Sequence, residues 1–194
     1  MVTANDTAQS EATESEATPA PGRVIVITGA MAAGKSAVAE RLALRLPRSA
    51  HVRGDAFRRM VINGRVEMTP RPDPAAEAQL RLRYRLAAHT ARTYAEHGFD
   101  AIVQDVIIGA DLAWFVELLP PERRHLVVLS PTVSALQWRE EQRTKAGYVH
   151  FSPAVMDDVL RRETAHIGYW LDSSTQSPEE TVDDILAHLE LARV

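Results

Sequence analysis

The sequence predicts an α/β domain in which a parallel sheet is covered by helices on both faces. Three observations carry this. From Arg23 onward, short apolar runs alternate with longer amphipathic runs. A glycine-rich segment, Gly29 to Ser36, sits between one apolar run and one helical run. The chain has no cysteine and no long apolar stretch, which removes disulfide scaffolds and membrane bundles from consideration.

The elements follow in order. Residues 1 to 22 hold Ala, Thr, Ser, Glu and Pro with little to bury, so they predict a flexible acidic tail, with the domain running from 23 to 194. Val24 to Thr28 predicts a buried strand. Lys35 to Leu46 predicts a helix, because Val38, Leu42 and Leu46 recur at four-residue spacing before Pro47. Ala50 to Arg53 predicts a second strand, and the Arg- and Pro-rich stretch Phe57 to Pro72 a partly helical flap. Asp73-Pro74 supplies an N-cap and a first-turn proline for a long helix ending at Gly98. Ala101 to Asp105 and Leu126 to Leu129 predict buried strands on either side of a helix from Asp111 to Leu119. A charged helix is expected from Pro131 to about Lys145, another from Ser152-Pro153, and a short strand at Tyr169 to Leu171. Ser177-Pro178-Glu179-Glu180 reads as a capping box for the last helix.

The formal net charge is -4, and the tail alone carries Asp6, Glu11, Glu14 and Glu16, so the rest is close to neutral. That balance argues against a nucleic-acid partner. Neither a membrane span nor a secretory leader is expected, and the predicted location is the cytoplasm. The only lysines are Lys35 and Lys145.

Gly29-Ala30-Met31-Ala32-Ala33-Gly34-Lys35-Ser36 matches G-x-x-x-x-G-K-[ST] with a strand before it and a helix after it. Glycines let main-chain N–H groups turn inward around phosphate oxygens, and the helix N-terminus beyond, from Lys35 through Ala37, favours the anion. Lys35 is expected on the β- and γ-phosphates of ATP and Ser36 on Mg²⁺. Asp105, closing the apolar run Ala101-Ile102-Val103, is the second expected metal residue, although a strand-terminal aspartate also solvates turns.

Asp55 follows the second strand, which brings its carboxylate to the sheet edge that carries the phosphates. It is the candidate general base for an acceptor hydroxyl; the competing role is a helix cap. Arg58 and Arg59, one turn on, are candidate substrate residues or solvated surface charges. Arg139 and Arg143 fall four apart on one helical face before Gly147, spacing that suits a closing lid at about 139 to 152 and equally an i, i+4 salt-bridge face. As lid residues they would place guanidinium charge on the transferring phosphoryl group. Trp138 is expected in the core.

With these motifs the chain resembles the P-loop small-molecule kinases, and among them the chloramphenicol phosphotransferase-like family, over about residues 23 to 192. The resemblance rests on the P-loop, Arg53-Gly54-Asp55, Gln104-Asp105-Val106-Ile107-Ile108-Gly109, the lid arginines and Leu171-Asp172-Ser173-Ser174 before Ser177-Pro178. It implies a five-stranded parallel sheet of order 2-3-1-4-5 with a helical lid. It also implies that Asp55 is the base, that Asp105 is the magnesium-shell carboxylate, and that the loop from Asp172 to Pro178, with Ser174 and Pro178, borders adenine opposite Arg139. That family often has two acidic residues where this chain has Gln104-Asp105.

Acceptor contacts are expected from Ala56 to Pro72, from Tyr84, from Val106 and Ile107, and from Trp114. These segments are neither strongly acidic nor strongly basic. The expected function is transfer of the ATP γ-phosphate to a hydroxyl of a small molecule such as an antibiotic, by a monomer or homodimer. Alternatives are a nucleotide-dependent drug-sequestering protein similar to tunicamycin-resistance proteins, a sugar or nucleoside kinase, and a regulatory NTPase.

Overall fold

The computed structural model describes residues 19–142 and 151–194. Five parallel strands form one sheet: β1 (Val24–Gly29), β2 (Ser49–Arg53), β3 (Asp100–Gln104), β4 (Arg124–Leu129) and β5 (Tyr169–Leu171), in the spatial order β2-β3-β1-β4-β5. The predicted fold class and strand order are both observed. β1 is central because its residues are apolar on both faces; Val24 to Ile27 are at most 1% exposed, and Ile25 lies in register with Ile102 of β3 and His125 of β4.

Helices α1 (Lys35–Arg45), α2 (Gly54–Met60), α3 (Pro74–Glu96), α4 (Ala110–Glu117), α5 (Val133–Glu141), α6 (Pro153–Glu163) and α7 (Pro178–Ala187) connect or cover the strands, and a short 3₁₀ turn (Leu189–Ala192) follows. α3 begins as predicted, with the Asp73 carboxylate accepting from Ala75 N at 2.7 Å. Its alanines at 87, 88, 91 and 95 are buried, which lets the helix lie close to the sheet. α7 carries the predicted capping box: Glu180 N donates to Ser177 Oγ at 3.2 Å and Ser177 N to Glu180 Oε2 at 2.7 Å.

The stretch 57–72 resolves into the end of α2 and an irregular segment clasped to α3 by one side chain. Gln79 accepts from Val66 N at 3.0 Å and donates to Gly64 O at 2.7 Å. At the opposite edge, Arg23 grips Asp100 through Nε at 3.0 Å and Nη2 at 2.6 Å, tying the start of β1 to β3. The packed chain extends before Arg23, since Gly22 N donates to Ala95 O at 2.8 Å. Among the described residues no helix is long and apolar enough to cross a membrane.

Candidate functional site

The carboxyl ends of β1, β2 and β3 open into a cleft of about 1130 Å³, walled by the loop 29–36, the start of α2, the end of β3, α5 and the segment 173–178. Its floor is the loop between β1 and α1. Gly29 and Gly34 have φ of 142° and 94°, and Ala32 has φ 62°, so the backbone curls around a hollow. Gly29 is needed for a second reason: a Cβ there would stand 2.3 Å from Leu129 O. The start of α1 faces the same hollow. Lys35 is buried, and its Nζ donates to Gly29 O at 3.1 Å and Ala30 O at 2.7 Å, which holds the ammonium along the loop. Met31, Ala32, Ala33, Gly34, Ser36 and Ala37 line the cleft, while Gly29 and Ala30 contribute their carbonyls to Lys35.

Asp55 reaches the cleft from the first turn of α2 and Arg58 from the last. The Asp55 carboxylate makes no cap; it pairs with Arg59 at 2.8 Å and Arg58 at 3.8 Å. Arg58 also pairs with Glu67 at 2.7 Å, so the segment 61–72 closes over α2 through an ion pair. Arg59 is exposed and does not line the cleft.

Helix α5 crosses the mouth. Arg139 donates to Ala33 O at 3.3 Å and Ser173 O at 2.6 Å, bridging the glycine-rich loop and the loop after β5. Burial pulls its guanidinium below the usual arginine value, and Asp172 opposes that shift. Ser174, which borders the cleft with Pro178, accepts from Thr132 N at 2.8 Å and hydrogen-bonds Asp172. Arg143, the other predicted lid arginine, lies outside the described residues.

Four residues stand elsewhere than expected. Trp138 is 62% exposed and lines the cleft instead of the core: it lies two residues from buried Leu136, about 200° around the helix. Tyr84 and Ile107 stand behind the wall, with Tyr84 donating to Val106 O at 2.6 Å and Ile107 N bonding Thr28 Oγ1 at 2.9 Å. Trp114 is half-buried beneath Arg85, whose guanidinium lies 5.7 Å from the ring centre, away from the cleft. Val106 does line it. Asp105 borders the cleft but gives both carboxylate oxygens to Arg83 and Val106 N.

Glu67, Met68, Gln104 and Gln176 also line the cleft; Glu67 and Met68 fall in the stretch 56–72 and Gln176 in the loop 172–178 where contacts were expected, but none was named individually as a site residue. Gln104 was visible as the polar interruption of an apolar strand. The other three lie in segments without periodicity. A narrower apolar recess adjoins the cleft under 61–72, lined by Phe57, Val61, Val66, Leu80 and Leu86, and shares Arg58, Glu67 and Met68 with it.

A family model described as an AAA domain, AAA_33, matches residues 24–191. The chain belongs to that AAA domain family. No curated protein sequence matches it. Among solved structures this AAA domain is similar to the Mycobacterium tuberculosis APS kinase in complex with AMPPNP and APS, at TM-score 0.65 and 19% identity over 89% of this chain and 99% of that one. It is similar also to a gluconokinase from Sinorhizobium meliloti, at 0.61 and 22% over 90% and 95%. A Deinococcus radiodurans tunicamycin resistance protein matches at 0.62 and 15% over 86% and 95%. At these identities the likeness is one of fold alone, an α/β P-loop kinase-like fold.

Proposed function

We propose that this AAA domain is an ATP-dependent phosphotransferase acting on a hydroxyl of a small, uncharged, partly apolar molecule such as an antibiotic. The observation that carries the reading is the meeting of a phosphate cradle and a carboxylate, Asp55, in one cleft.

The cradle suits a triphosphate. Its inward-turned backbone, buried Lys35 and helix N-terminus supply main-chain amides and one ammonium to anionic oxygens. Arg139, held across the mouth, would add charge to the transferring group and keep water out. For the nucleotide's Mg²⁺, the chain offers the Ser36 hydroxyl at the lip of the cradle. Among the described residues no group of three or more His, Cys, Asp or Glu side chains could hold a metal alone, so the ion would be held jointly with phosphate oxygens. When bound, it would neutralise charge on those oxygens.

In the reaction, a bond forms between the acceptor oxygen and the γ-phosphorus while the bond to the bridging oxygen of ADP breaks. The acceptor proton passes to an Asp55 carboxylate oxygen. Arg58 and Arg59 fix that carboxylate in the first turn of α2.

The acceptor class follows from charge pairing. Arg58, Arg59 and Arg83 are each paired with Asp55, Glu67 or Asp105, and the adjoining recess is apolar. An anionic acceptor needs uncommitted cations; a neutral one needs apolar wall. This favours a natural product over a sugar acid or a nucleotide, and fits the resemblance to the chloramphenicol phosphotransferase-like family.

The test is to incubate the protein with ATP, Mg²⁺ and panels of neutral hydroxylated antibiotics and of anionic metabolites, and to look for a phosphate mass increment. An increment on a neutral acceptor supports the proposal. An increment confined to anionic metabolites rejects the acceptor class. Tight drug and nucleotide binding with no increment points to sequestration.

A further inference from the structure

Two adjacent polar side chains close β3, and they serve different partners. Asp105 N still donates to Ile27 O at 3.4 Å, so strand alternation carries through both positions and sends Gln104 and Asp105 to opposite faces. Asp105 is 3% exposed and its partner Arg83 is 5% exposed. Oδ2 accepts from Arg83 Nε at 2.7 Å, and Oδ1 accepts from Val106 N at 2.7 Å and from Arg83 Nη2. A carboxylate offers about four lone-pair sites, and these bonds fill most of them. Gly54 crowds the remaining side: a Cβ there would sit 1.9 Å from Oδ2.

Gln104 is half-buried, lines the cleft, and has no side-chain hydrogen bond among the described residues. Its neighbours in register are Ile27 on β1 and Arg53 on β2, which places it at the foot of the phosphate cradle.

We propose that Asp105 is a positioning residue that locks Arg83, and with it helix α3, to the end of β3, and that the β3 side chain meeting the phosphate end of the cleft is the neutral amide of Gln104. Arg83 lines the apolar recess, so the lock sets the distance between that wall and the cradle. The part concerning Gln104 rests on the phosphotransferase reading; the lock does not. A neutral amide lends a magnesium–phosphate group less attraction than a carboxylate would, so the chain should need more Mg²⁺ than a carboxylate there would demand.

The lock is tested by thermal unfolding of the nucleotide-free chain as wild type, Asp105→Asn, Arg83→Gln and the double variant. Each single variant leaves one buried group without its partner and should lower Tm by about 6 °C or more. The double variant should unfold well above the sum of the two losses, and it carries the test if a single variant does not fold. Strictly additive losses would overturn the lock. The second readout is calorimetry of AMPPNP binding across Mg²⁺ concentration. The double variant should keep its half-saturating Mg²⁺ within about twofold of wild type, and Gln104→Glu should lower it about threefold or more. A tenfold rise in the double variant, or no change in Gln104→Glu, would overturn the assignment. Wild-type protein that binds no nucleotide would reject the phosphotransferase reading and the Gln104 role, while the unfolding cycle would still decide the lock.

Discussion

Arg139 donates to Ser173 O at 2.6 Å, and by that bond α5 is fastened across the cleft to the loop after β5. The same guanidinium reaches Ala33 O at 3.3 Å, so one side chain touches both the glycine-rich loop and the loop after β5.

Replacing it should affect both binding and folding. Arg139→Ala should weaken nucleotide binding about tenfold, and because two hydrogen bonds from a charged group to main-chain carbonyls are lost it should also lower Tm by roughly 4 °C or more. Calorimetry and thermal unfolding on the same preparation check both halves.

Asp55→Asn should reduce turnover by roughly 10²- to 10⁴-fold, the usual contribution of a general base, and leave nucleotide affinity within about threefold. Steady-state rates on a neutral acceptor, alongside titration with a nonhydrolysable nucleotide, measure the two effects. Equal loss of both would mean that Asp55 supports the fold and not the chemistry.

Gly54→Ala should destabilise the domain, because the added methyl meets the Asp105 carboxylate, which Arg83 holds in place. Overpacking of this kind costs about 1 to 3 kcal/mol, and a lowered urea midpoint with unchanged slope would register it. Gly64→Ala is the contrasting variant: no atom lies within 4 Å of its Cβ position, so it meets only the strain of φ 75°.

Acid should weaken the fold before any carboxylate titrates. Burial lowers the pKa of His125 on β4, and burial with Arg53 nearby lowers that of His51 on β2. A histidine that binds its proton less readily when folded contributes stability that is complete above the unfolded value of about 6.5 and is lost as pH falls toward the folded value. Urea midpoints should therefore decline from about pH 6.5 downward. His125→Gln should flatten part of that decline.

The sheet and the conformation of the glycine-rich loop were legible because local pattern and tertiary structure agree there. Val24 to Thr28, Ala101 to Val103 and Leu126 to Leu129 are buried on both faces, and buried parallel strands read as uninterrupted apolar runs. The caps at Asp73 and Ser177 are local hydrogen bonds, visible in four residues of sequence. The acceptor side was less legible because its order comes from distant partners. Gln79 holds Gly64 and Val66 across 15 and 13 residues, and nothing in 61–72 announces it. Asp105 was visible as a strand-terminal carboxylate, but its partner Arg83 lies 22 residues earlier, on a helix whose neighbouring strand is not fixed by sequence spacing. Trp138 was misplaced because size and apolarity suggest burial, whereas α5 turns only a narrow face inward.

The most direct test of the central claim is calorimetric titration of the wild-type chain with AMPPNP and Mg²⁺, with Lys35→Met as control. The account predicts saturable binding to one site per chain, weakened at least about tenfold in Lys35→Met. Folded wild-type protein that gives no binding heat at several temperatures and no thermal stabilisation by the nucleotide would contradict it.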